Sequence, residues 1–190
     1  NMLAINSVAA YLLTRDTPWR SLKNDLLQTS QKIAAFLEKS VEKQAELARA
    51  VENMHTLFFL GRGASMATVW TGSLINKEAA QCSFEGMNAA DFRHGPLEMV
   101  AAGVGVFIFA GDTVSYALNR QLGMDITKHS GSVIWLDTKV DTDLNTFVLP
   151  DVSEWLRPLV EVLPLQLLTI IKAEQKGRAP GVFHIVGKIT

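Results

Sequence analysis

The chain has 190 residues, 48% of them hydrophobic and 19% charged, which suits one folded domain with a sizeable core, or one domain with a helical appendage, rather than a disordered segment. Its 18 Lys and Arg against 19 Asp and Glu create no basic field for a phosphodiester backbone, so nucleic acid is excluded as a natural partner. The single cysteine, Cys82, can form neither an internal disulfide nor a multi-cysteine metal site; a reducing compartment, the cytoplasm, is expected, with no metal and no cofactor.

The chain opens on Asn1-Met2 directly in a helical pattern from Leu3 to Leu13, with no capping residue before it, which predicts entry partway along a larger parent polypeptide. This apolar run has no basic leader, and at about a dozen residues it is too short for a bilayer, so no membrane anchor is expected. Thr17-Pro18 breaks the pattern. A second helix from Ser21 carries Leu22, Leu26, Ile33, Phe36 and Leu37 at helical spacing, and a short third runs from Glu46 to Val51. Residues 1–53 therefore read as linker helices without site chemistry, and 54–190 as the domain proper with a C-terminal tail.

From "TLFFLGRG" the pattern changes to a compact buried strand ending in glycines, followed by a helix over Ser65–Ala80. The strand-loop-helix unit recurs as "GVFIFAGD" with a helix from Val114 to about His129. Then come "GSVIWLDT", "TFVLP" and a long helix from Ser153 to about Lys176, in which Pro164 predicts a kink near Leu163 and "EVLPLQLLTII" reads as core. Alternating apolar strands and helices imply a mostly parallel sheet covered on both faces, a three-layer α/β sandwich. In the tail, Val182, Phe183, Ile185 and Val186 predict packing that would hold Lys188 against the domain.

Three stretches could carry chemistry. "GRGAS", residues 61–65, is a glycine loop opening a helix: Gly61, Gly63 and Ser65 form either a tight turn alone or a phosphate cradle of backbone N–H groups with a serine hydroxyl. The loop lacks both the dinucleotide GxGxxG spacing and a Walker lysine, which disfavours a nucleotide fold. Glu78 lies late in the following helix, on a solvated face beside Lys77 or, if that end meets the strand-end crevice, as a proton-moving carboxylate. His94, in "ADFRHGPLEM", precedes Gly95-Pro96 and has Asp91 and Arg93 close by. Sixteen residues after Glu78, it has enough intervening chain for a strand and a loop to return it to that carboxylate, and an imidazole suits sugar-ring opening near neutral pH. His55, His129 and His184 lack such neighbours.

The stretch "GRGASMATVWTGSLINKEAAQCSFEGMNAADFRHGPLEMV", with "WLRPLVEVLPLQLL" and the tail "GKIT", resembles the second sugar-isomerase (SIS) domain of glucosamine-6-phosphate synthase and its double-SIS relatives, the phosphosugar isomerases, deaminases and fructosamine-6-phosphate deglycases. The resemblance covers nearly the whole chain. It implies a flavodoxin-like or Rossmann-like SIS domain acting on a small sugar phosphate, an upstream SIS repeat, and a homodimer that would also cover the apolar opening helix. It further implies that Glu78 of the KE pair shuttles a proton between C1 and C2 of the open-chain sugar. By the same token His94 of HGP assists ring opening in a neighbouring subunit's site, and Lys188 forms an imine with a ketose carbonyl.

Three departures stand against this. Thr71 and Ile75 replace an acid and a lysine of the usual E-G-A-L-K-L-K-E, which weakens amination; "AGDTVS" lacks the SxSGxT phosphate signature; and glutamine chemistry has no support within these residues. The expected function is the C-terminal half of a phosphosugar aldose-ketose isomerase or of an aminosugar-phosphate deaminase or deglycase. The alternative is a non-catalytic sugar-phosphate-binding regulatory module.

Overall fold

The computed structural model describes residues 19–182. Two helices come first, α1 (Trp19–Glu38) and α2 (Ser40–Ala50). They are followed by β1 (Thr56–Gly61), α3 (Met66–Ala79), β2 (Glu85–Asn88), a single-turn α4 (Ala89–Phe92), β3 (Val104–Phe109), α5 (Tyr116–Lys128), β4 (Ser132–Asp137), β5 (Thr146–Val148) and α6 (Arg157–Gln175). The five strands form one sheet, parallel at every pairing, in the order β2-β1-β3-β4-β5.

Successive residues of a strand face opposite sides, and here both sides are dry. Leu57, Phe59, Phe107, Phe109, Ile134 and Leu136 enter one core with Phe36 of α1, Leu47 of α2, Val69 of α3 and Leu163, Leu165, Leu167 and Leu168 of α6. Phe58, Leu60, Val106, Ile108, Val133 and Trp135 enter the other with Phe92, Leu122 and Ile126. This is the expected three-layer sandwich. In the first layer α3 packs against α6: a Cβ on Gly72 would lie 2.0 Å from Leu165 Cδ1, so glycine is what lets the two helices approach here.

The structure adjusts several sequence expectations. The strand β2, "EGMN", carries no apolar run because it is a four-residue edge strand, half-buried at most. The helix expected from Glu46 starts six residues earlier, at Ser40. α6 continues through Pro164 as one helix to Gln175, with Pro164 itself buried in the layer contact. Val182, expected to pack, is exposed. The opening helix Leu3–Leu13 and the tail residues Phe183, Ile185, Val186 and Lys188 lie outside the described residues.

Candidate functional site

The helix after β1 covers one face of the sheet and the helix after β3 covers the other. The loops leaving the carboxyl ends of these adjacent strands must therefore part, and a crevice opens where the strand order reverses. Here it is a cavity of about 370 Å³ between Arg62–Ser65 and Gly111–Val114, bordered on one side by Glu154 and Trp155 in the turn before α6 and by Arg157, the first residue of α6.

The glycine loop is built for this turn. A Cβ on Gly61 would meet Ser65 Cβ and Val69 Cγ2 at 3.1 Å, and Gly63 has φ +56°, a left-handed conformation that side chains resist. Ser65 lines the crevice yet is almost wholly buried. Its hydroxyl, which the phosphate-cradle alternative would call on, donates to Glu161 Oε1 at 2.8 Å.

Glu161 is the residue that sequence reasoning missed. It projects from α6 into the apolar layer, 2% exposed, and its other oxygen accepts from Thr68 Oγ1 at 3.3 Å. Burial pushes its carboxyl up to about 7, against the opposing pull of the Ser65 and Thr68 hydroxyls and the Arg157 guanidinium. The available signal was a lone acid within "WLRPLVEVLPLQLL", where a helix otherwise apolar on that side carries a group that cannot be buried cheaply.

The guanidinium groups are aimed by backbone and amide partners. Arg157 Nη1 donates to the Gly111 carbonyl, and its Nε is buried without a hydrogen-bond partner. Arg62 Nε donates to Asn119 Oδ1 at 2.8 Å, while Asn119 Nδ2 donates to the Phe109 carbonyl at 3.0 Å. On the opposite lip, Asp112 Oδ1 accepts from Ser115 N at 2.8 Å and from Ser115 Oγ at 2.6 Å, which holds the carboxyl below its usual range. The "AGDTVS" loop thus spends its serine on its own aspartate. Glu154 Oε1 accepts from the Thr113 N–H at 2.8 Å.

Glu78 and His94 stand elsewhere. The helix α3 starts at the carboxyl edge of the sheet and runs back along it, so Glu78, one residue from its end, sits exposed at the amino edge. Fourteen residues of helix span about 20 Å. β2 then carries the chain up again, leaving His94 exposed at the carboxyl edge. Within one chain the intervening strand therefore separates the two groups instead of returning one to the other, and Glu78 does not meet the strand-end crevice. Arg93, expected beside the imidazole, pairs with Asp125 of α5 at 2.7 Å. His94's own N–H donates to the Asp91 carbonyl at 2.9 Å. Among the described residues no three His, Cys, Asp or Glu side chains gather as a metal site, and no helix is long and apolar enough to cross a membrane.

No family model matches the chain. It is 30% identical over 181 residues, 93% of its length, to the glutamine–fructose-6-phosphate aminotransferase (isomerizing) of Bacteroides thetaiotaomicron. It spans only 29% of that relative, and a similar share of the other curated relatives that head the matches. Among solved structures it superposes on the C-terminal domain of the glucosamine–fructose-6-phosphate aminotransferase of Francisella tularensis with a TM-score of 0.68 and 21% identity, over 85% of this chain and 45% of that one. The tagatose-6-phosphate ketose/aldose isomerase of Escherichia coli gives 0.68 at 15% identity, over 86% of this chain and 48% of that one. The fold is that of the sugar-isomerase domains.

One further feature of this sugar-isomerase fold bears on Glu78. Along α3, Trp70 and Leu74 are 63% and 54% exposed, and with Glu78 they follow at intervals of four residues on one side of the helix. The carboxylate thus ends an apolar stripe directed away from the chain's own core.

Proposed function

We propose that this chain is the C-terminal SIS domain of a phosphosugar isomerase, or of an aminosugar-phosphate deaminase or deglycase. In this reading residues 1–53 link it to an upstream SIS repeat, the assembly is a homodimer, and it works in the cytoplasm. Glu78 moves a proton between C1 and C2 of an open-chain sugar phosphate, His94 assists ring opening across a subunit boundary, and Lys188 holds a ketose carbonyl as an imine. The upstream repeat supplies the phosphate contacts for the sugar that Glu78 works on, while the crevice at Gly61, Gly63 and Ser65, at the opposite sheet edge from Glu78, receives a phosphate-bearing ligand of its own.

The observation that carries this reading is the position of Glu78 at the end of the exposed Trp70–Leu74 stripe. A carboxylate useful for enolisation has to be out of bulk water and over the carbon acid. An apolar stripe covered by a second SIS unit would supply that enclosure, and it accounts for why Glu78 and His94 lie at opposite sheet edges within one chain. The identity to a fructose-6-phosphate aminotransferase over 93% of the chain supports the same substrate class.

A second reading, a sugar-phosphate-binding regulatory module without catalysis, is favoured by one observation: Thr71 and Ile75 stand where the resembled pattern has an acid and a lysine, while the crevice keeps Arg62 and Arg157. Assay of the full chain, and of a longer parent carrying it, on fructose 6-phosphate, glucosamine 6-phosphate and fructosamine 6-phosphates separates the two. Turnover that falls at least about 100-fold in Glu78→Gln supports the proton shuttle. Turnover retained in that variant removes Glu78 from the mechanism, and binding without turnover in the parent favours the regulatory reading.

A further inference from the structure

Two side chains connect the crevice to the buried carboxyl beneath it. Ser65 lines the crevice and donates to Glu161 Oε1 at 2.8 Å. Arg157 lines the same crevice and also the small cavity on whose wall Glu161 and Asp137 stand. A hydroxyl has one proton to give and a guanidinium has one positive charge, so neither can serve a carboxylate and a second anion in full.

We propose that Glu161 is a proton-linked positioning residue for the crevice, so that a doubly charged phosphate-type anion binds there together with one proton taken up by Glu161. With the crevice empty and Glu161 ionised, Ser65 donates to the carboxylate and Arg157 offsets its charge. When an anion takes up Arg157, the carboxylate loses its cationic neighbour and a second negative charge stands close by, both of which favour the neutral acid. The neutral acid can itself donate, either to Ser65 Oγ, which releases the serine proton toward the crevice, or to Thr68 Oγ1, whose proton then goes to the Pro158 carbonyl at 3.3 Å. Neither the Glu161 carboxyl nor either hydroxyl loses its hydrogen-bond partner in these arrangements.

The charged groups facing Glu161 are few. Its own helix contributes Arg157, β4 contributes Asp137, and the turn before α3 and α3 itself contribute only the hydroxyls of Ser65 and Thr68. Around the crevice stand Arg62, Asp112 and Glu154. Asp112 is held ionised by Ser115. Burial raises the carboxyl from its ordinary 4.5 to about 7, which puts the exchange where it would be felt at neutral pH.

The inference rests on the crevice being the ligand site of the function proposed above, and its test is independent of turnover. The probe is sulfate, which remains a dianion from pH 6 to 9 and so adds no titration of its own. Calorimetric titration of the full chain in two buffers of different ionisation enthalpy gives both affinity and protons taken up. The expected result is a sulfate affinity that falls about tenfold per pH unit above neutrality, with uptake approaching one proton per sulfate at pH 8. Glu161→Gln, which keeps the shape and an acceptor for Ser65, should bind with the same affinity at every pH and take up no proton. The proton count on the unaltered chain decides the matter even if that variant fails to fold. Sulfate binding that is flat with pH and proton-free overturns the coupling and leaves the crevice as an anion site. Absence of sulfate binding at every pH overturns the inference together with the crevice's role, while the Glu78 assay still stands on its own result.

Discussion

Ser65 and Glu161 are 96 residues apart in the sequence and share a 2.8 Å hydrogen bond under the floor of the crevice. This bond joins the first turn after β1 to the second turn of α6. Through it the glycine loop is anchored to the same helix whose first residue, Arg157, reaches the other lip at Gly111.

The energetics of that anchor depend on pH. The Glu161 carboxyl lies near 7 in the folded chain against an ordinary 4.5, so the folded state holds its proton more tightly than the unfolded one. The resulting stability is complete below pH 4.5 and is lost as pH rises through 7, in all about 3 kcal/mol at full effect. Denaturant unfolding between pH 5 and 8 should show this decline, and Glu161→Gln should lack it and be the more stable protein at pH 8.

Ser65→Ala removes a donor from a carboxyl that is 2% exposed. Stability should fall by about 1–2 kcal/mol above pH 7, where the charge needs the bond, and by less at pH 5, where the neutral acid still has Thr68. Chemical denaturation at the two pH values reads the difference, and an equal loss at both would show that the bond serves the two protonation states alike.

Gly72→Ala puts a methyl 2.0 Å from Leu165 Cδ1 where α3 packs against α6. Overpacking of this kind costs about 1–3 kcal/mol. Adding Leu165→Ala should restore part of it, so that the double variant is more stable than the sum of the two single effects implies, as urea midpoints would report.

Trp70→Lys tests the exposed stripe of α3. Because the indole is 63% exposed, the change should leave the melting temperature of an isolated protomer nearly unaltered, yet it places a charge where a second SIS unit would cover apolar surface. Light scattering should give a dimer for the unaltered chain and a smaller species for the variant. A well-behaved monomer for both would remove the stripe as an interface.

Much of the architecture was legible one residue at a time. Apolar runs such as "TLFFLG" and "GVFIFA" between helical periods determine a buried parallel sheet, because a strand covered on both faces must be apolar at every position. The glycines after β1 likewise announce a turn that side chains resist. β2 escaped this logic: as an edge strand it buries little, so "EGMN" needs no apolar signature.

Tertiary structure alone decided the composition of the site. Spacing along the chain suggested that Glu78 and His94 could meet, but a helix running down the sheet and a strand running up it set them at opposite edges. Glu161, read as one more member of an apolar helix, became the carboxyl under the crevice. Local pattern reports which face of an element is apolar; the distance between two side chains, and the burial that moves a proton's affinity, come from elements far apart in sequence packing against one another.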